Sequence, residues 1–381
     1  MIPYGRQSIS EEDLRAVTAV LRSDWITQGP TIARFERAVA DYCRVPHGIA
    51  VTSATAALHI ACLALEVGPG DRVWTTPNTF VASANCALYC GAAIDFVDID
   101  LATGGMSVPA LEEKLRSAQI QDCLPKVVIP VHFAGEPCEM AEIARLARDY
   151  RFRVIEDASH AISASYRGDS VGSCTYSDMT VFSFHPVKII TTGEGGLITT
   201  RSAELARRLA LLRTHGITRE PDQMSQAPHG AWYYEQVMLG FNYRMTDLQA
   251  ALGISQLSTI EQFNVRRHAL AARYDALLDG LPIRSLARSR ANRSALHLYV
   301  IHVEAGRRRE IFDHLRSRGI GVNVHYIPVH LQPYFRRFGF KEGDFPVAEA
   351  HYRQAVSLPL YPGLTEPEQD RVVTALREVF Q

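Results

Sequence analysis

The sequence predicts an α/β protein with a large, mostly parallel sheet domain and a smaller C-terminal α+β domain. Three observations carry this. Between residues 48 and 157 short apolar runs alternate with amphipathic stretches, the order that builds a parallel sheet with helices on both faces. The alternation stops near Met245, where a helical pattern over 246–278 contains no proline and little glycine. The 381 residues are too many for one small core. We expect a large domain over 1–245, opening with a helical segment, and a small domain over 246–381 entered through one long hinge helix.

Each element has its own signal. Ser10 followed by Asp13 resembles a capping box and starts a helix to about Arg22. Residues 25–30 form a turn, and an amphipathic helix follows to Cys43. Residues 48–51 read as a buried strand, and Thr52-Ser53-Ala54-Thr55-Ala56-Ala57 opens a helix to about Glu66. Strands over 72–75, 93–97, 127–132 and 153–157 alternate with helices ending at Cys90 and spanning 108–118 and 140–150. Apolar runs over 179–184 and 197–200 read as strands joined by an exposed, glycine-rich loop. Residues 213–241, polar and aromatic, read as a mobile active-site or interface loop. Strands over 298–303 and 321–326 and helices over 307–318 and 365–380 complete the chain.

The chemistry centres on that glycine-rich loop. Of 40 Lys and Arg residues only Lys114, Lys126, Lys188 and Lys341 are lysines, so a nucleophilic amine must be one of four. Lys188 alone has a hydroxyl (Ser183) and an imidazole (His185) just before it and glycines just after; the plain alternative is a surface-loop lysine. The small and hydroxyl residues 53–56 open a helix after a strand, an arrangement that accepts a phosphate or simply caps a helix. Ligands of such sheets lie beyond the carboxyl ends of the strands, so Ser53, Thr55, Asp157 and Ser183 should share one edge. Glu156 and Asp157 face opposite ways along their strand, and only one can address a ligand there.

Composition excludes other classes. A net charge of −1 leaves no electrostatic footprint for nucleic acid or an anionic membrane. No apolar run reaches the roughly 18 residues of a membrane span, and the N-terminus lacks a signal-peptide layout. Seven cysteines without a Cys-x-x-Cys pair read as reduced thiols of a cytoplasmic enzyme, with no metal site.

Ser53-Ala54-Thr55, Glu156-Asp157-Ala158-Ser159-His160-Ala161, Ser183-Phe184-His185-Pro186-Val187-Lys188 and Gly240-Phe241-Asn242-Tyr243-Arg244-Met245 occur in this order. Together they resemble the DegT/DnrJ/EryC1/StrS sugar aminotransferases, enzymes dependent on pyridoxal 5′-phosphate (PLP) with the aspartate-aminotransferase (fold type I) scaffold. The resemblance implies that Lys188 carries the cofactor and moves the proton, that Asp157 pairs with the pyridinium nitrogen, and that His160, where many members have Gln, bonds the ring hydroxyl. It places Ser53, Ala54, Thr55, Ala56 and Ser183 at the phosphate, Phe80 on the ring, and His185 beside the reacting sugar carbon. Asn242 would reach the phosphate of a partner subunit, making the working unit a homodimer with shared sites. Trp25, Thr27, His325 and Tyr326 would face the sugar, although His325 and Tyr326 also read as strand packing. The implied substrates are L-glutamate and a nucleotide-linked 4-keto-6-deoxy sugar. Ser159-His160-Ala161, His297-Leu298-Tyr299 and Val324-His325-Tyr326 are similar to the pseudaminic acid branch, which aminates UDP-2-acetamido-2,6-dideoxy-β-L-arabino-hex-4-ulose at C4. A PLP-dependent dehydratase and a non-catalytic sugar-binding protein are the alternatives.

Overall fold

Residues 1–380 are described by a computed structural model, built around a seven-stranded sheet. Its strands are β1 (His47–Val51), β2 (Arg72–Thr75), β3 (Ala93–Phe96), β4 (Val127–Ile129), β5 (Arg153–Asp157), β6 (Met179–Ser183) and β7 (Gly196–Thr200), in the order β1-β7-β6-β5-β4-β2-β3. Neighbours from β3 to β6 pair parallel, and β7 pairs antiparallel with both β1 and β6. β7 alone therefore runs against the other six. Every residue of β4, β6 and β7 is buried, which is why these strands read as unbroken apolar runs. The strand expected over 127–132 stops at Ile129, because Pro130 has no N–H for a ladder.

Helix α1 (Glu11–Leu21) precedes six helices that cover the sheet: α2 (Pro30–Cys43), α3 (Ala54–Ala64), α4 (Ala82–Tyr89), α5 (Val108–Ile120), α6 (Met140–Tyr150) and α7 (Ala203–Leu212). The α1 capping box forms, with Ser10 N–H to Asp13 Oδ2 at 2.9 Å and Asp13 N–H to Ser10 Oγ at 3.2 Å. The helical pattern over 246–278 is two helices, α8 (Asp247–Ser258) and α9 (Ile260–Leu277). The break is at Thr259, whose N–H and hydroxyl both turn back to the Gln256 carbonyl, at 3.2 and 3.0 Å, a local competition with the helix ladder.

Beyond α9, the strands Arg284–Ser285, Tyr299–His302 and Ala355–Leu358 make an antiparallel sheet. It shares an apolar core with α10 (Arg308–Ser317) and α13 (Glu366–Phe380); α11 (Pro333–Arg336) and α12 (Pro346–Gln354) lie between. The strand expected over 321–326 is absent as such: only Asn323 bridges, to Ser357. The ladder partner is Ala355–Leu358, a run the periodicity did not single out. The expected boundary at 245/246 is crossed in both directions. Ile2 is buried in the C-terminal core and pairs with Ile320, whereas α8 packs on α1 and α2. The stretch 213–241 contains a two-residue ladder, Ile217–Thr218 with Glu235–Gln236. No described helix is long and apolar enough to cross a membrane.

Candidate active site

Because β1, β5 and β6 run the same way, their carboxyl ends lie on one edge. Ser53, Asp157 and Ser183 follow or end those strands and line a single cavity of about 460 Å³ together with Lys188, within the size range of small-molecule sites. The β6–β7 connection is less exposed than expected: residues 189–192 are buried. Hydrogen bonds from Thr192 N–H and Thr191 Oγ1 to the Phe184 carbonyl fold it inward, at 3.0 and 2.9 Å. Burial lowers the Lys188 amine from 10.5 to about 8, against the opposing pull of Asp157.

Asp157 is held from two sides. Ser83 Oγ, on α4, donates to Oδ2 at 2.6 Å, and Ser159 N–H donates to Oδ1 at 3.0 Å. Glu156 points the other way and is absorbed by structure. His132 Nε2 lies 2.7 Å from it, and Thr180 Oγ1 donates at 3.0 Å. Cys138 N–H donates to His132 Nδ1, so the imidazole proton sits on Nε2 and faces Glu156.

The α3 N-terminus closes one end. Ser53 Oγ accepts the Ala56 N–H at 3.1 Å, so the Ala56 amide is engaged within the helix and Ala56 does not line the cavity, contrary to expectation. Ala54 and Thr55 do line it, and first-turn amides have no intrahelical acceptors. A Cβ on Gly196 would stand 2.5 Å from the Ser53 carbonyl; only glycine lets β7 start against this turn.

The opposite wall comes from residues 323–326 and two histidines. His160 Nε2 and the Tyr326 hydroxyl are 3.1 Å apart. Burial, with the Lys188 charge beside it, pushes His160 well below its usual range. Burial, with Asp157 and Tyr4, raises the Tyr326 phenol. Tyr326 therefore keeps its proton and His160 stays neutral, with His160 Nδ1 buried without a partner. His325 is lowered to about 3 by burial and the Lys188 charge, with Nδ1 2.7 Å from Ser357 Oγ. The His297 ring packs 4.4 Å from His160. Its carbonyl accepts from the fully buried Arg267, which also holds the carbonyls of Leu296 and Leu360.

His185 and Phe80 line the cavity rim, Phe80 being 60% exposed. Trp25 and Thr27 do not line it; they are exposed in the turn between α1 and α2. Asn242 is likewise exposed and outside the cavity of its own chain. Tyr4, Thr79, Ser83 and Asn323 line the cavity without having been anticipated. Tyr4 precedes the first helix and carries no pattern, whereas Ser83 was hidden among small residues of a helix.

The residues fit PLP. A half-buried amine, a carboxylate with two oriented oxygens, the α3 N-terminus and an unpartnered imidazole nitrogen share one cavity, matching the cofactor's aldehyde, ring nitrogen, phosphate and hydroxyl.

Comparison with known proteins agrees. The DegT/DnrJ/EryC1/StrS aminotransferase family matches residues 7–377. The spore coat polysaccharide biosynthesis protein SpsC of Bacillus subtilis is 38% identical, over 100% of this chain and 97% of its own. Spr1654 of Streptococcus pneumoniae, described as a sugar aminotransferase and solved in its PMP form, superposes with a TM-score of 0.91 at 32% identity, covering 100% of this chain and 99% of its own. Helicobacter pylori PseC, an aminotransferase of pseudaminic acid biosynthesis, superposes with a TM-score of 0.91 at 28% identity and the same coverage. The chain thus belongs to the DegT/DnrJ/EryC1/StrS family and is a PLP-dependent sugar aminotransferase.

Proposed function

We propose that the protein transfers the amino group of L-glutamate to C4 of a nucleotide-linked 4-keto-6-deoxy sugar, and that this sugar is UDP-2-acetamido-2,6-dideoxy-β-L-arabino-hex-4-ulose. The observation that carries the transfer is the half-buried Lys188 amine in one cavity with Asp157 and the α3 N-terminus. Similarity to PseC over the full chain supports the finer acceptor.

Bound PLP supplies an electrophilic carbon for the amine and a ring that takes up the electrons left when a substrate C–H bond breaks. Lys188, at about 8, has a free-base fraction near neutral pH; its Nζ takes a proton from the substrate carbon and returns one. Asp157 holds the ring nitrogen, with Ser83 and Ser159 fixing its oxygens. Ser53, Thr55, Ser183 and the Ala54 and Thr55 amides bind the phosphate. His160 Nδ1 meets the ring hydroxyl, Phe80 covers the ring, and His185, His325 and Tyr326 orient the sugar.

Asn242, exposed on its own chain, completes the phosphate site of a second copy, so the working unit is a homodimer. Seven free cysteines favour a reducing, cytoplasmic setting. A second reading, an acceptor built into another polysaccharide, is favoured by the similarity to SpsC.

The test is the visible spectrum of the PLP-loaded protein before and after L-glutamate, followed by a panel of UDP- and dTDP-linked 4-keto-6-deoxy sugars. Glutamate should bleach the yellow band, Lys188→Ala should show no such change, and the UDP-linked arabino-hexulose should restore it. A protein that stays colourless with added PLP, or a band indifferent to glutamate, refutes the transfer. Restoration only by another sugar selects the second reading, and loss of a sugar hydroxyl without amine transfer selects a dehydratase.

A further inference from the structure

The segment Ile2–Tyr4 crosses from the C-terminal core to the active-site cavity. Ile2 N–H donates to the Gly319 carbonyl at 2.9 Å, Gly321 N–H to the Ile2 carbonyl at 2.6 Å, and Leu360 N–H to the Tyr4 carbonyl at 3.0 Å. The Ile2 side chain is 2% exposed, so the strap is anchored by both backbone and core. Gly321 is required for the approach: a Cβ there would lie 2.8 Å from the Ile2 carbonyl oxygen. This anchoring places the Tyr4 ring 5.5 Å from the His325 ring and against the cavity. Burial raises the Tyr4 phenol, with Asn323 as a hydrogen-bonding neighbour pulling the other way.

The wall so formed is neutral: a phenol, the Asn323 amide and an imidazole held uncharged by burial. Among the described residues lining the cavity, Lys188 is the only Lys or Arg. The Tyr4 wall therefore has no cation for a dicarboxylate such as glutamate. Uncharged donors and acceptors beside aromatic faces suit the hydroxyl and amide groups of a pyranose.

Resting on the aminotransferase reading above, we propose that Tyr4 is a specificity-determining residue for the sugar acceptor, its hydroxyl bonding a hydroxyl or acetamido group of the pyranose while taking no part in the glutamate half-reaction. The experiment compares wild type, Tyr4→Phe and Tyr4→Ala as PLP-loaded proteins. One arm is the rate and half-saturation of bleaching by L-glutamate alone. The other is KM and kcat for the UDP-linked 4-keto-6-deoxy sugar that wild type turns over best in the panel.

Tyr4→Phe should raise the sugar KM roughly five- to tenfold, as for one lost hydrogen bond, and leave the glutamate arm within about twofold. Tyr4→Ala should raise it further. An unchanged sugar KM in Tyr4→Phe overturns the proposal, and a defect confined to Tyr4→Ala reduces the residue to packing. An equal defect in both arms overturns it as well. Tyr4→Phe keeps the ring and strap, so it decides the matter even if Tyr4→Ala does not fold. Wild type that bleaches with glutamate but shows no response to Tyr4→Phe sinks only this inference; wild type that neither bleaches nor turns over a sugar sinks the reading beneath it.

Discussion

Lys188 should destabilise the protein that depends on it. Its amine falls from 10.5 to about 8 in the folded chain because burial penalises the cation, with Asp157 recovering only part. A depressed lysine means the unfolded chain holds the proton more tightly, so the penalty is complete below pH 8. It fades between 8 and 10.5, where the native amine has already lost its proton. At pH 7 the gap corresponds to about 3 kcal/mol, at pH 9 to about 2 and at pH 10 to about 1. Lys188→Met, similar in length and uncharged, removes the penalty. For a chain of this size about 3 kcal/mol is a rise in Tm of roughly 4 °C. The assay is calorimetric melting of cofactor-free wild type and Lys188→Met at pH 7, 9 and 10. The variant should melt higher at pH 7, with the difference shrinking steadily toward pH 10. A variant no more stable than wild type at pH 7, or a difference that does not change with pH, would refute the argument that burial sets this amine.

Two further outcomes follow from the same geometry. Ser83→Ala removes the 2.6 Å bond to Asp157 Oδ2, a charged-acceptor hydrogen bond of roughly 1.5–3 kcal/mol; PLP affinity by equilibrium dialysis should fall about tenfold to a hundredfold, and an unaltered Kd would show that Ser83 does not orient the carboxylate. Lys188→Ala and Asn242→Ala should each be impaired alone, yet co-refolding equal amounts should recover about a quarter of wild-type sites, since half the dimers are hybrids with one intact site. No recovery counts against an Asn242 shared between subunits.

The alternation of apolar runs and helices was legible because strands buried on both faces leave little else in their composition. The β5 end and the Lys188 loop were legible for a related reason: a carboxylate and a scarce lysine stand out beside apolar strands. Element ends were less so. Pro130 truncated β4, and the Thr259 hydroxyl broke one helical pattern into two. Residues 321–326 look like a strand, but 323–326 line the cavity instead of pairing, with His325 bonded to Ser357 and Tyr326 to His160. The boundary at 245/246 failed as a line because Ile2 and α8 each pack with the other half of the chain.

The α/β class, the βα order and the edge on which Ser53, Asp157 and Ser183 had to meet follow from the residues alone, because strand direction and side-chain alternation are local consequences of backbone geometry. Scarcity and neighbours single out Lys188 as well. Which groups orient them depends on the packing of the whole chain. Ser83 reaches Asp157 across 74 positions and Tyr326 reaches His160 across 166, and Tyr4 enters the cavity because the C-terminal core holds Ile2. Those contacts join segments with no common period, so they arise from how the elements pack and leave no mark in the local pattern of residues.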